Sequence, residues 1–174
     1  PHLNLAEIAR LYAANGAGNP GRLDRNENKA VGARLNAERG ALSSGISLYG
    51  ERDNAGVQRT AAGAHFMANL SPFRFQAEYQ YRDNDPETAA GFIDRGFYGQ
   101  VMYDIGAWTI AARYDWYDPD SGAKDADMFR YTGALNYHFA ENVVAKAEYN
   151  RNELESGEDY NEAIFSIVVA IGDL

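Results

Sequence analysis

Charged side chains recur at every second position along most of this chain, and its chemistry starts from that spacing. Arg34, Arg59, Arg74 and Arg82 fall on one parity of their segments, as do Arg113, Arg130 and Lys146 further on. Glu78, Asp94, Asp104, Asp115, Glu148 and Glu162 share that parity. A period of two places alternate residues on one face of a β-strand, so these groups would line a single polar face. Such a face has two uses. Around a water-filled passage, fixed charges select ions or polar solutes. Paired with one another, the same charges make only a hydrated, self-neutralised network. An arginine free of a carboxylate would separate the two readings. Most tyrosines lie on the opposite, apolar parity, but Tyr49, Tyr98 and Tyr117 lie with the charges. Those three are the aromatics expected inside a channel.

Two other chemistries can be weighed. His65 and His138, with Asp94 and Asp115, could suggest hydrolysis. A general base needs hydrogen-bond reach to its substrate. Both histidines fall towards the short connections, away from where an external substrate would arrive. They read as residues lining the polar face, and neither catalysis nor a cofactor is expected. The segment Asp118-Pro-Asp120-Ser-Gly122-Ala-Lys-Asp125-Ala-Asp127 offers oxygen atoms at alternate positions. It lacks the full spacing and closing glutamate of a calcium loop, so it reads as a solvated acidic loop with at most weak divalent binding and no metal site.

The elements that must position these residues are strands. In Ser71–Arg82, Phe73, Phe75, Ala77, Tyr79 and Tyr81 alternate with Arg74, Gln76, Glu78, Gln80 and Arg82. The aromatics gather at the ends of the apolar face with Ala77 between them, as in a strand that faces lipid between two interfaces. The pattern repeats from Lys29 onward and predicts nine strands of about 10–14 residues. Soluble strands are typically ~5–6 residues, and a tilted crossing of the hydrocarbon layer needs ~9–11. The expected connections alternate: short at 39–40, 71–72, 106 and 141–142, long at 51–56, 83–90, 118–126 and 153–159. Short turns on one side and long loops on the other mark an outer-membrane barrel with its long loops outside the cell.

The expected fold is therefore all-β, an antiparallel transmembrane meander of nine to ten strands. Residues 29–174 form the barrel strands, and residues 1–28 a strand or helix plus a loop. Asn4 and Glu7 have the spacing of a helix cap, whereas 3–13 could equally be a poorly alternating strand. A soluble ligand-binding barrel is the alternative, but it would need bulky aliphatics to fill its interior, and this apolar face is largely Ala, Gly and aromatics. No run of 18 apolar residues exists to form a transmembrane helix. The net charge of −9 argues against nucleic acid, whose phosphates need a basic face. The chain has no cysteine, so no disulfide or thiolate site enters. Starting at Pro1 without a signal-peptide pattern, it reads as a mature chain or a fragment.

The segments RGFYGQVMYDIGAWTIAARYDWYD (95–118), YHFAENVVAKAEYNRNELE (137–155) and IFSIVVAIG (164–172), with KAVGARL (29–35) upstream, resemble bacterial porins of the broad group related to the phosphate-selective porins O and P. The resemblance implies a channel in the bacterial outer membrane, commonly a trimer of barrels with about sixteen to eighteen strands. It implies lipid and lipopolysaccharide as surroundings, small solutes or ions as cargo, and no enzyme activity. Two features depart from that group. The chain ends Gly172-Asp173-Leu174 instead of on an aromatic residue, and nine or ten strands cannot close a wide barrel. It is then the C-terminal part of a larger porin or a small related barrel. Phosphate selectivity does not carry over, because Lys29, Lys124 and Lys146 are the only lysines. The rival function is a closed structural or adhesion barrel whose external loops do the work.

Overall fold

Ten strands follow one another in a computed structural model that describes residues 6–15, 29–52, 56–87 and 89–170. They are β1 (Ala6–Asn15), β2 (Lys29–Arg39), β3 (Leu42–Arg52), β4 (Gln58–Leu70), β5 (Phe73–Asp85), β6 (Phe92–Ile105), β7 (Trp108–Asp118), β8 (Met128–Ala140), β9 (Val143–Leu154) and β10 (Tyr160–Val169). Each pairs antiparallel with its sequence neighbours, giving one meander sheet in the order β1 to β10. Among the described residues, β1 and β10 do not pair with each other.

The strand boundaries follow the alternation closely. β2–β10 are the nine strands expected from Lys29 onward, 10 to 14 residues long. Of the segment 3–13, open between helix and strand, the described residues 6–13 fall in β1, whose Ala6–Asn15 pairs with Lys29–Glu38. The Asn4 end of the suggested cap, most of the following loop, and the last residues, 171–174, lie outside the described residues.

Short and long connections alternate as expected. Gly40–Ala41, Ser71–Pro72, Gly106–Ala107 and Glu141–Asn142 join strands tightly. Gly40 (φ 58°) and Gly106 (φ 59°) occupy the first turn position with positive φ, a conformation open to a residue without Cβ and favoured in two-residue hairpins. Each short turn is also tied onward. The carbonyls of Ala41, Pro72, Ala107 and Asn142 accept from the amides of Asn69, Asp104, His138 and Ala170. These bonds fix the stagger of successive hairpins. A bulge at His138/Ala140 is where the β8–β9 register shifts.

The sheet is a single layer, so it builds no apolar core of its own. Ala30, Ala68 and Met102 are the buried hydrophobics among the described residues, whereas Phe139, Leu48, Ile110 and Tyr149 are all more than half exposed. Every residue of β10 is exposed, with Phe165 at 81 %. An apolar face this large in water would cost heavily and drive association. Lipid removes that cost, and the ladders between neighbouring strands satisfy the backbone groups that lipid cannot. Because the apolar side chains enclose no interior, the soluble-barrel alternative has nothing to rest on.

Candidate functional site

The register sets the polar residues in rows across the sheet. His65, Glu78, Tyr98, Asp115 and Arg130 stand side by side on β4–β8. One row towards the long loops, Ser47, Gly63, Gln80, Gly96 and Tyr117 follow each other on β3–β7. The next row brings Tyr49, Ala61, Arg82 and Asp94 together. On the other side, Gln76, Gln100, Arg113, Thr132 and Asn150 form a row on β5–β9. Arg34 lies opposite Ser47, Arg59 opposite Glu51, Arg74 opposite Met102, Glu148 opposite Ala134, and Lys146 opposite Asn136. Every candidate residue thus falls on the same face.

Most of the cations there are held by carboxylates. Arg74 and Asp104 form a two-pronged pair, Nε to Oδ2 at 2.9 Å and Nη2 to Oδ1 at 2.8 Å. The Thr109 hydroxyl donates to the same carboxylate at 2.6 Å. Arg82 Nε reaches Asp94 Oδ2 at 2.7 Å, and Asn84 Nδ2 donates to that oxygen at 2.9 Å. Asp94 and Asn84 are almost fully buried, which shields this bond from competing water. Arg113 Nη2 lies 2.5 Å from Asp115 Oδ1, with its guanidinium 3.9 Å from the Tyr98 ring centroid. Arg59 Nη1 pairs with Glu51 at 3.3 Å, and the Tyr49 hydroxyl donates to Glu51 at 2.8 Å. Lys146 and Glu148 pair at 2.8 Å.

Two arginines differ. Arg34 Nε donates to Asn36 Oδ1 at 2.9 Å, and Arg130 Nε to Asn152 Oδ1 at 2.6 Å. An amide oxygen satisfies a hydrogen bond but leaves the positive charge uncancelled. Neither arginine forms an ion pair among the described residues.

Two concavities open on the polar face. The first, about 540 Å³, lies over β3–β7 towards the long loops. Its floor is Ala61, Gly63 and Gly96, and Tyr49, Tyr98 and Tyr117 all border it. Ser47 packs over Gly63, where a Cβ would come within 2.9 Å of its Oγ. The second, about 280 Å³, lies across β6–β10 between Arg113, Arg130, Lys146, Asn136 and Asn150.

The histidines do not meet. His65, on β4, stands opposite Glu78, whereas His138, on β8, has its Nε2 3.3 Å from Thr109 Oγ1. Asp118, Asp120 and Asp127 are engaged within their own surroundings. Asp118 ends β7 instead of opening the loop, and its Oδ1 accepts from the Asp120 amide at 3.2 Å. Asp120 accepts from the Gly122 amide at 2.9 Å, and Asp127 from Trp116 Nε1 at 3.0 Å. Among the described residues no group of three His, Cys, Asp or Glu is gathered for a metal.

Sequence parity missed the ion pairs on the apolar side. Arg95 Nε and Asp118 Oδ2 meet at 3.0 Å, with Arg95 over the Trp116 ring at 5.4 Å. Arg151 and Glu153 pair at 2.8 Å. Both pairs sit at strand ends towards the long loops, where a polar headgroup layer tolerates charge. The signal was the break itself: Arg95 interrupts Ile93 and Phe97, and Arg151 follows Tyr149.

The family model described as Gram-negative porin matches residues 8–157. A solved porin structure, refined at 1.8 Å resolution, superposes with a TM-score of 0.70 at 13% sequence identity, covering 97% of this chain and 58% of that one. The chain thus spans a little over half the length of that structure. No protein of curated function matches the sequence.

Proposed function

The chain belongs to the Gram-negative porin family of the bacterial outer membrane, and on that premise we propose that it forms wall of a channel through which small polar and ionic solutes diffuse passively. One observation carries this reading: a single sheet whose strands bear charge on one face and exposed aliphatics and aromatics on the other. Lipid and lipopolysaccharide contact the apolar face, and the polar face lines the passage. The pore-lining residues are Arg34, Arg59, Arg74, Glu78, Arg82 and Asp94, then Tyr98, Arg113, Asp115, Arg130, Lys146 and Glu148. A continuous wall needs partners at the free edges of β1 and β10, and the assembled channel is a homotrimer, as the family resemblance implies.

Arg34 and Arg130 favour the channel over a closed structural barrel. With amide partners only, they leave fixed positive charge on the wall, and a solute that has shed part of its water is sensitive to such charge. Phosphate as a specific cargo has no support in this wall, where Arg59, Arg74, Arg82, Arg113 and Lys146 are each paired with a carboxylate.

The test is planar-bilayer recording of the refolded chain. Stepwise conductance is expected, with a reversal potential that moves towards cation preference when Arg34 and Arg130 are both changed to Gln. Folded protein without conductance would overturn the channel reading for this chain.

A further inference from the structure

The apolar face changes character partway across the sheet. On β5–β8 it carries aromatics at two levels. Towards the long loops, Tyr79, Phe97, Trp116 and Phe129 stand in one register row. Towards the short turns, Phe73 packs on Tyr103 with ring centroids 5.0 Å apart, and Trp108 on Tyr137 at 4.5 Å. Two such levels are how strands meet the two interfaces of a lipid layer. The long-loop row continues past Tyr79 into β4, β3 and β2, and there it reads Ala64, Ile46 and Leu35. Among the described residues, β2 and β3 carry no aromatic on this face. β4 carries only Phe66, which stands opposite Ala77 and so between the two levels. β9 and β10 keep one each, Tyr149 and Phe165.

The face of β2–β4 still has to be covered. Leu35, Ile46, Leu48 and Leu70 are all exposed on it. Lipid would cover them, but these strands lack the rings that hold a membrane wall at its interfaces. A protein neighbour makes those rings unnecessary. The relief also suits protein: Leu48 stands between Ala33 and Ala62 in its row, and Ile46 between Leu35 and Ala64. Small residues let backbones approach closely inside lipid. Strands of 11 to 13 residues, spaced ~4.8 Å apart with ~3.3 Å per residue, give the three a plan area of about 550 Å². Side-chain relief raises the accessible area towards the ~800 Å² per partner of a stable interface. The occupant must lie at membrane depth and present an uncharged face of the same height. A second copy of this chain does both.

We infer that the apolar face of β2–β4 is the subunit interface, buried against a second copy, while β5–β8 face lipid. The inference rests on the outer-membrane channel reading and adds the place where copies meet. Packing of copies does not depend on conduction, so the two can fail separately.

The chain has no cysteine, so a single introduced cysteine takes a nitroxide label at one site. Ile46→Cys on β3 and Ile110→Cys on β7 are compared in the full chain refolded into lipid vesicles. In one copy these side chains are almost equally open, 56 % and 51 %, so a difference in contact with lipid-dissolved oxygen comes from assembly. Oxygen is expected to reach the label at position 46 at least three-fold less than the label at position 110. Chemical cross-linking on the same vesicles should show more than one copy. Heat-modifiable mobility reports folding. Should Ile46→Cys not fold, Leu48→Cys takes its place, being 57 % exposed in one copy. Equal oxygen contact at the two positions overturns the interface, because lipid then covers β2–β4 and any assembly uses the free edges of β1 and β10. A single copy in cross-linking overturns it as well. Conductance recorded on the same vesicles stands or falls on its own.

Discussion

The two concavities of the polar face use the same residue types to opposite ends. Over β3–β7 every bordering arginine is clamped on a carboxylate: Arg59 on Glu51 and Arg82 on Asp94. Across β6–β10 Arg113 and Lys146 are likewise paired with carboxylates, but one arginine has only an amide. Arg130 is held by Asn152, and Thr132 donates to Asn150 at 2.6 Å. A carboxylate cancels the guanidinium charge and is itself held in place. An amide holds the side chain and leaves the charge standing. The arginines bordering the first region are therefore electrically quiet, and the second region presents Arg130 to whatever passes. Counting arginines along a wall does not reveal its field; the partner of each one does.

That contrast can be broken by stability measurements. Asp94→Ala removes the acceptor of both Arg82 and Asn84 and leaves a buried amide without its partner. A loss of about 2 kcal/mol is expected in denaturant unfolding. Glu148→Ala removes a half-exposed partner of Lys146, a pair worth at most about 0.5 kcal/mol. Equal losses would mean that burial of Asp94 does not set the difference.

Selectivity sharpens it next. Arg113→Gln and Arg130→Gln each subtract one positive charge, so both should move the reversal potential towards cations. Only Arg113→Gln releases a carboxylate, Asp115, beside the tyrosine depression. It should also cost about 1 kcal/mol in denaturant unfolding, and Arg130→Gln should cost less. Equal losses would mean that the Arg113–Asp115 pair contributes no more than the Arg130–Asn152 hydrogen bond.

The smallest effect concerns Asn136, on the floor of the second concavity. Its Oδ1 is buried without a hydrogen-bond partner. Asn136→Ala therefore forfeits no bond at that atom, and stability within about 0.5 kcal/mol of the parent is expected. A large loss would reveal a role for the amide that its geometry does not display.

The alternation of Phe73, Phe75, Tyr79 and Tyr81 with Arg74, Glu78 and Arg82 determined the strands, their faces and the hairpin order, because side chains alternate sides in any strand whatever its neighbours. Gly40 and Gly106 marked two of the tight turns through their need for positive φ. Residues 3–13 stayed open between helix and strand because Ala and Leu suit either and the alternation there is weak; for residues 6–13 pairing with β2 decided it. The breaks at Arg95 and Arg151 were visible in the sequence, but their partners were not. Which arginine meets which carboxylate depends on register, and register joins residues up to 30 positions apart, as in Arg74 and Asp104. The same holds for Tyr49, Tyr98 and Tyr117: their parity was legible, their meeting around one depression was not. The sequence by itself determined two-sided strands, since period and residue type are local properties. The tertiary structure alone decided which charges remain uncancelled, since that depends on distance across strands.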